Sequence, residues 1–382
     1  MKRLLLCMLL LAVLALTGCA KEGEEMQLLA INVGKGDAML LSYGNTRYLI
    51  DTGTTEHWGD LSRALKVLEV DHLNGVIITH TDKDHCGGMR ALAMSSIAVD
   101  GWYAPAFYTG VKEGKHPMVE AAALRGQQVK WLFAGDELPL GEGALSVIGP
   151  RSRSETENCN SLVLVAHGGG GRMLLAGDME FPEEEELLAA GVITHCQLLK
   201  VGNHGENDAT SEAFLNAVAP KVVVISTSTV EEPDTPSNRV MRLLAKSGAE
   251  VWETQDAPAG VLATINSGVA AGHLLEYDPF PAVPQGITLA DRDAKEEHIR
   301  IRNDSAAAVD LSGWYIVSDR GGELFVLPGD TILQPGGELL ISTLSSDEQG
   351  DLVWPEKKVW HKSKDDTARL YDVYGQLVCE LK

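Results

Sequence analysis

Residues 75–89 read GVIITHTDKDHCGGM and join an apolar run to a cluster of polar side chains. The first five residues are apolar and rich in β-branched side chains, which predicts a buried strand. Four side chains able to bind metal follow at once: His80, Asp82, Asp84 and His85. A loop at the end of a strand lets such side chains converge on one point. Two imidazoles and two carboxylates so close together suit a pair of divalent cations better than one structural zinc ion.

Five further segments repeat the arrangement of an apolar strand with a polar residue and a glycine beside one end. An α/β layer fold builds a site along one sheet edge in this way. The predicted strands and their polar residues are 27–33 with Asp37, 47–50 with Asp51, 162–166 preceded by Asn158 and Asn160, 172–176 with Asp178, and 197–201, which contains Lys200 and is followed by Asn203 and His204.

The chain of 382 residues is long enough for two domains. Residues 278–286 (DPFPAVPQG) carry three prolines and predict the linker between them. Residues 26–277 alternate between strand-like and helix-like segments. Residues 287–382 contain only short strand-like runs separated by Gly and Pro turns, which predicts an antiparallel β-sandwich.

The first 19 residues have the pattern of an export signal. Lys2 and Arg3 precede the apolar run Leu4–Leu16, and the segment ends in Leu-Thr-Gly-Cys at Cys19. This ending resembles a bacterial lipobox, which implies lipidation of Cys19; a plain secretory signal is the alternative. Residues 20–25 would be a polar tether. We therefore expect an extracytoplasmic protein, anchored by lipid to the bacterial membrane.

The chain is strongly acidic. Its formal charge is −22, and −24 once Lys2 and Arg3 are removed with the predicted signal. Such a protein repels polyanions at long range and is a poor candidate for tight, sequence-specific binding of nucleic acid, which depends on counterion release. Any action on a phosphodiester must therefore rely on metal charge within the site.

Several motifs carry a family resemblance. THTDKDHCGG resembles the HxHxDH signature of the metallo-β-lactamase superfamily, with Asp82 where the second His usually stands. Together with VGKGDA, LIDTG, NSLVL, LLAGDME and LLKVGNHG, it is similar to the metallohydrolase domain of ComEC-type competence proteins over residues 26–272. The resemblance implies an α/β fold, the αββα sandwich of that superfamily.

The C-terminal segment carries a second resemblance. VDLSGW at residues 309–314, LQPGG at 333–337 and the tail ARLYDVYGQLV resemble a lamin-tail domain. That resemblance implies an all-β sandwich of immunoglobulin-like fold over residues 287–382. A role in binding or positioning would follow, and the sequence names no protein partner.

The superfamily resemblance also implies roles for individual residues. His80 and Asp82 would hold the first metal, Asp84 and His85 the second, and Asp178 would bridge both, with His204 completing the second. Asp51 would lie behind the ligands and orient their loop, as would Asp37, Asn158 and Asn203. Asn160 would offer a neutral carbonyl to the first metal. The implied catalytic residues are Asp84 and Asp178. Lys200, at the end of a buried strand, is a further catalytic candidate that could reach a phosphate, and a snorkelling lysine is the equal alternative. Lys35 and Asp37 lie on a turn facing the presumed cleft, where a substrate contact and a purely structural turn are the alternatives.

Three departures from the family pattern bear on activity. Asn158 and Asn160 lie where a ligand His is expected, which weakens the first metal site. Asn203 replaces the first His of a pair. Thr235 lies in DTP where relatives carry Gly-His-Pro, and a threonine hydroxyl cannot transfer a proton near neutral pH.

The ligand set predicts two divalent ions, zinc or manganese, because carboxylates outnumber imidazoles. We expect hydrolysis of a phosphodiester, with extracellular single-stranded DNA as a weakly bound partner, by metal-activated water. Two alternatives remain open. One is a metallohydrolase acting on a lactone, a phosphocholine ester or a wall polymer, and the other is a binding lipoprotein that kept the fold and lost the chemistry.

Overall fold

The computed structural model describes residues 25–112 and 114–382. The predicted signal peptide, with Leu4–Leu16 and the lipidation residue Cys19, lies outside the described residues. So does the predicted tether up to residue 24, and the first strand begins at its last residue, Glu25. Across the described residues, every helix is too short or too polar to cross a bilayer.

Seventeen strands precede the predicted linker in residues 25–112 and 114–277. They are β1 (Glu25–Ala30), β2 (Met39–Tyr43), β3 (Thr46–Ile50), β4 (His72–Leu73), β5 (Gly75–Ile77), β6 (Ala98–Val99), β7 (Trp102–Pro105), β8 (Val129–Leu132), β9 (Glu137–Leu140), β10 (Gly143–Gly149), β11 (Val163–Gly168), β12 (Gly171–Leu175), β13 (Leu198–Lys200), β14 (Val222–Ile225), β15 (Glu250–Glu253), β16 (Gly260–Asn266) and β17 (Val269–Leu275).

Two mixed sheets form the centre of the N-terminal domain. The first has the order β17-β16-β1-β2-β3-β5-β7-β8 and the second β15-β14-β13-β12-β11-β10-β9, while β4 and β6 pair separately. Strands β3, β5, β7 and β8 run parallel, as do β12 to β15. Alternate residues of both sheets pack face to face in one apolar layer that includes Leu28, Leu41, Leu164 and Leu198.

Helices cover the outer face of each sheet. The first sheet packs against α1 (Trp58–Val67), α3 (Met89–Met94) and α4 (Pro117–Leu124), and the second packs against α5 (Phe181–Ala189), α6 (Glu212–Val218) and α7 (Asn238–Ser247). A single short turn of helix, α2 (Lys83–Cys86), follows β5. The four layers are the αββα sandwich that the resemblance implied, so the predicted fold class is confirmed.

The C-terminal region is all β, as predicted. Its strands are β18 (Ile287–Asp293), β19 (His298–Asn303), β20 (Val309–Asp310), β21 (Tyr315–Ser318), β22 (Leu324–Val326), β23 (Ile332–Leu333), β24 (Glu338–Thr343), β25 (Leu352–Trp354), β26 (Ala368–Tyr371) and β27 (Leu377–Leu381). Two four-stranded sheets, β18-β19-β24-β25 and β22-β21-β26-β27, enclose a core in which Trp314, Trp354 and Trp360 are buried. Residues 278–286 contain no helix or strand.

The two regions share an apolar interface. Tyr315, Leu324 and Val326 of the β-sandwich belong to the same buried cluster as α1 and α3. Two arginines add polar contacts: Arg63 Nε donates to the Tyr374 carbonyl at 2.7 Å, and Arg90 forms an ion pair with Glu356 at 2.9 Å. The β-sandwich therefore packs directly on the helix that follows the ligand loop.

Candidate metal centre

Four buried or half-buried side chains converge where the strands end. One ligand atom from each of Asp84, His85, Asp178 and His204 lies within 4.8 Å of the others. Asp84 and His85 lie on α2 after β5, Asp178 lies on the turn after β12, and His204 lies on the 3₁₀ turn after β13. We call these four residues the tight half of the site. The structure thus brings together four of the residues that the sequence marked.

Asp178 is at the centre of the tight half. Its Oδ2 lies 3.1 Å from His85 Nε2 and 3.4 Å from His204 Nε2. Asp84 Oδ2 also lies 3.4 Å from His204 Nε2, and the two Nε2 atoms are 3.3 Å apart. The backbone N–H of Asp178 donates to Ser161 Oγ at 3.1 Å, which fixes the turn that presents the carboxylate.

Hydrogen bonds from behind fix both imidazoles. His85 Nδ1 donates to Asp51 Oδ2 at 2.9 Å, and His204 Nδ1 donates to the Ser226 carbonyl at 3.0 Å. Asp51 also accepts from the backbone N–H of Thr79 at 2.7 Å, so it lies behind His85 and joins it to the end of the strand. With both Nδ1 atoms donating, each neutral ring turns an Nε2 lone pair towards the other ring and towards the carboxylates. Such an arrangement is stable only around positive charge.

The pKa values of these groups report the same electrostatics. Burial alone would lower the pKa of His204, but the carboxylates of Asp178 and Asp84 raise it to about 9. Burial opposes charge on Asp178 too, yet the two imidazoles hold its pKa well below the usual range. The site therefore attracts cations, whether protons or a metal ion.

Two buried atoms without hydrogen-bond partners in the described part of the chain show whether these residues suit a metal ion. His80 Nε2 and Asp178 Oδ1 are buried and have no hydrogen-bond partner among the described residues. A buried polar atom without a partner is costly, and both atoms are ordinary metal ligands. Together with the tight half, they form a donor set that fits divalent cations.

His80 and Asp82 form the open half of the site, with Asp178 shared between the halves. His80 Nε2 lies 3.6 Å from Asp82 Oδ2 and 3.8 Å from Asp178 Oδ2. The His80 side chain is buried, whereas half of the Asp82 side chain is exposed. The open half thus has fewer donors and more contact with solvent than the tight half.

The prediction that Asn160 is a metal ligand is wrong. Its Oδ1 accepts from the Ser154 backbone N–H at 2.8 Å, and its Nδ2 donates to the carbonyls of Ser154 and Thr156. Both ends of its side-chain amide are therefore bonded to the backbone of the 154–160 loop. Asn158 does not support the ligands either, because its Nδ2 donates to Glu180 Oε1 at 2.9 Å.

The prediction that Lys200 is catalytic is also wrong. Successive residues of a strand point to opposite faces, so Lys200 faces the layer between the sheets, as Leu198 does. Its Nζ is fully buried, 2.7 Å from Asp37 Oδ2, and cannot touch substrate. Asp37 lies behind His204, with its Oδ1 3.9 Å from Nδ1. Lys200 therefore neutralises Asp37.

Two other predicted positions support loops. Asn203 precedes His204 but turns its Nδ2 to Asp208 Oδ1 at 3.2 Å. The prediction that it orients a ligand through its side chain is therefore wrong, although its backbone remains next to the ligand. Thr235, which lies where relatives carry a His, is buried, and its carbonyl accepts from Thr227 Oγ1.

Sequence reasoning missed Glu157 and underused Lys35. Glu157 Oε1 accepts from the backbone N–H of Thr81, between the two residues of the open half, at 3.0 Å. Lys35 Nζ lies 3.6 Å from Asp84, 3.3 Å from Glu206 and 3.2 Å from Glu232. The GKGD turn pointed to Lys35, whereas nothing near Thr81 in the sequence marks Glu157, 76 positions away.

The mouth of the tight half is acidic. Glu206 and Glu232 enclose Lys35, and Glu231 accepts from the Lys35 backbone N–H at 2.8 Å. Glu231 also lies 3.0 Å from His57 Nε2. We call Glu206, Glu231 and Glu232 the acidic rim.

Comparison with protein families gives two matches. Residues 31–229 match the model of the metallo-beta-lactamase superfamily, which covers more than half of the chain. Residues 282–382 match the lamin tail domain.

Among curated proteins, the chain is similar to ComE operon protein 3 of Bacillus subtilis, with 26% identity over 268 residues, 65% of this chain and 34% of that protein. It is also similar to competence protein ComA of Neisseria gonorrhoeae, with 28% identity over 251 residues, 64% of this chain and 33% of that protein. The chain thus spans about a third of the length of these curated relatives. Among solved structures, the metallo-beta-lactamase fold protein YhfI from B. subtilis matches with a TM-score of 0.42 and 11% identity, over 63% of this chain and 99% of that chain.

Proposed function

Because this chain belongs to the metallo-β-lactamase superfamily, we propose that it is a metal-dependent phosphodiesterase that cleaves single-stranded DNA outside the cytoplasm, tethered by lipid at Cys19. The observation that carries the proposal is the convergence of Asp84, His85, Asp178 and His204 on one point. Similarity to two proteins, one named for competence and one for the ComE operon, supports a nucleic-acid substrate.

The chain's own residues prepare the site for this chemistry. Asp84, His85, Asp178 and His204 would hold a divalent cation, which would supply a lowered water pKa and stabilisation of the charge on the attacked and leaving oxygens. Asp51 and the Ser226 carbonyl accept from the Nδ1 atoms of His85 and His204, so the Nε2 atoms are aimed inward, where they would hold a cation. Asp84, whose side chain is 23% exposed, faces the mouth of the site, where Lys35 is placed to meet a phosphate oxygen.

The test uses purified residues 20–382 with labelled single-stranded DNA and either Mn²⁺ or Zn²⁺. We expect cleavage that a chelator abolishes, and none from an Asp84→Ala, His85→Ala variant. The matched control is Asp347→Asn, Glu348→Gln, which changes two exposed acids of the C-terminal region. Equal turnover by the ligand variant and the wild-type chain would contradict the assignment.

A second candidate is supported by the acidic rim. Glu206 and Glu232 engage Lys35 and place negative charge where a polyanion would have to enter. A metallohydrolase acting on an uncharged ester or lactone would not meet this repulsion. A panel of small phosphodiesters and lactones separates the candidates, because the second predicts lactone turnover that competing DNA does not reduce.

A further inference from the structure

An exposed aromatic cluster lies beside the open half of the metal centre. Phe107 meets Phe133 edge to face at 6.1 Å between ring centroids, and Tyr108 stacks on Trp131 at 5.7 Å with an interplanar angle of 22°. Phe133 is 51% exposed and Trp131 is 37% exposed. In the described part of the chain, the other large hydrophobic side chains with comparable exposure are aliphatic. We call these four residues the aromatic lip.

One carboxylate joins the aromatic lip to the metal-binding loop. Glu157 Oε2 accepts from the Thr109 hydroxyl at 2.9 Å, while Oε1 accepts from the Thr81 backbone N–H at 3.0 Å. Thr109 directly follows Tyr108, and Thr81 lies between His80 and Asp82. The lip is therefore held at a fixed position next to the open half.

Positive charge accompanies the aromatic lip. The Arg153 guanidinium donates to the Tyr108 carbonyl at 3.1 Å, and Arg151 lies two residues before it on the exposed segment that leads to Glu157. Neither arginine forms an ion pair with a carboxylate of the described residues. The acidic rim, by contrast, engages Lys35 with its carboxylates. The surroundings of the open half and of the tight half thus differ in charge and in chemistry.

We propose that the aromatic lip is a stacking platform for the bases of a single-stranded polynucleotide, whose phosphates run past Arg151 and Arg153 towards the metal centre. Aromatic faces beside cations are the combination that holds single strands, because every base has a π face. A duplex keeps its bases stacked on one another and cannot offer them to the lip. This proposal rests on the proposed function and deepens it, because it assigns the surface that would hold the bases of the single strand.

Binding is measured with residues 20–382, from the fluorescence anisotropy of a labelled thymidine oligonucleotide of about 12 nucleotides. We expect a Trp131→Leu, Phe133→Leu variant to bind at least ~10-fold more weakly, since each stacked base contributes ~1–3 kcal/mol, or about 5- to 150-fold. Phe133→Trp should retain binding. Leu344→Ala, an exposed apolar residue of the β-sandwich, is the matched control and should bind like wild type. Thermal melts establish that each variant is folded.

Two further readouts separate this proposal from the proposed function. The lip variant should hydrolyse bis(p-nitrophenyl) phosphate as fast as wild type, because that substrate is too small to span both sites. Arg153→Ala should reduce the slope of log affinity against log salt by about 0.7 for the single strand. If the lip variant binds the oligonucleotide as tightly as wild type, or if duplex binds as tightly as single strand, the platform is overturned. If the wild-type protein hydrolyses no phosphodiester at all, the proposed function is overturned instead.

Discussion

The two halves of the metal centre differ in how they are supported. In the tight half, both imidazoles are fully buried and each is fixed from behind, one by Asp51 and the other by the Ser226 carbonyl. In the open half, His80 is buried but Asp82 is half exposed, and Asn160, the expected third donor, turns away into its own loop. Both halves share Asp178.

The number of metal-competent residues in a motif therefore does not fix the number of strong metal sites. Metal affinity depends on residues behind the ligands, whose removal typically costs 10- to 100-fold. The tight half has such support and the open half has little of it. We therefore expect one ion held tightly and a second held weakly.

The largest effect should come from the shared residue. Asp178→Asn removes the carboxylate that both halves use, so we expect loss of both ions and at least a ~100-fold fall in hydrolysis, more than removal of a residue behind a ligand. Elemental analysis after gel filtration measures the metal content. Asp347→Asn, an exposed acid of the β-sandwich, is the control. Retention of metal by Asp178→Asn would show that the two halves do not depend on a shared carboxylate.

The halves should separate when one imidazole is removed from each. His204→Ala should lose the tightly held ion, whereas His80→Ala should retain it and lose the weak one. Calorimetric titration with Mn²⁺ or Zn²⁺ into the metal-stripped proteins distinguishes the two classes of site. Equal losses in both variants would mean that the halves do not act separately.

A smaller effect is expected from the residue behind His85. Asp51→Asn keeps the shape and suits the left-handed backbone at this position, where φ is 61°, because Asn tolerates it. It removes the charge that orients His85, so metal affinity should fall about 10- to 100-fold without loss of fold. Ion affinity by competition with a chelating dye measures this. An unchanged affinity would show that the support of the tight half lies elsewhere.

Asn160→His tests the open half by adding an imidazole instead of removing a ligand. The family pattern predicts that histidine there restores a ligand. The structure predicts no gain in metal affinity, because the side chain points into the 154–160 loop, and a loss of about 1–3 kcal/mol in stability from its broken hydrogen bonds. Denaturant unfolding and metal titration give both values. A stronger second site in this variant would refute the interpretation.

The stability of the chain should itself depend on pH, because one histidine outside both halves of the site is buried. His116 packs against Tyr108 and Trp131 with 1% exposure, and its burial lowers its pKa to about 4. Because the unfolded chain protonates this residue near pH 6.5, stability should fall by up to about 3 kcal/mol as pH drops from 6.5 to 4, then level off. The His116→Phe variant should lack this component in unfolding experiments at several pH values. An identical pH profile would rule out His116 as its source.

Much of the fold and of the tight half could be predicted from the sequence. Apolar strands followed by His80–His85, Asp178 and His204 predict one edge of a sheet. The order of the strands and the Gly turns between them predict the α/β layers. Strand 197–201 was predicted within one residue at each end of the observed β13. Strand positions and the polar residues at their ends can be predicted because both depend on residues that are close together in the sequence.

The failures concern contacts between distant parts of the chain. Lys200 meets Asp37 across 163 positions, and Thr81 meets Glu157 across 76. Which way Asn160 turns depends on a loop closed by its own amide, not on the motif around it. The aromatic lip combines residues of two segments, 107–108 and 131–133, that carry no shared pattern.

The interface between the two regions has a consequence for how the chain can be divided. Tyr315, Leu324 and Val326 complete the apolar cluster under α1 and α3, and α3 begins at Met89, three residues after the end of α2. Cutting the chain at the linker would leave those surfaces open to water on both fragments. The β-sandwich thus supports α3, the helix that follows Asp84 and His85 in the chain. We therefore expect the two regions to unfold as one cooperative unit.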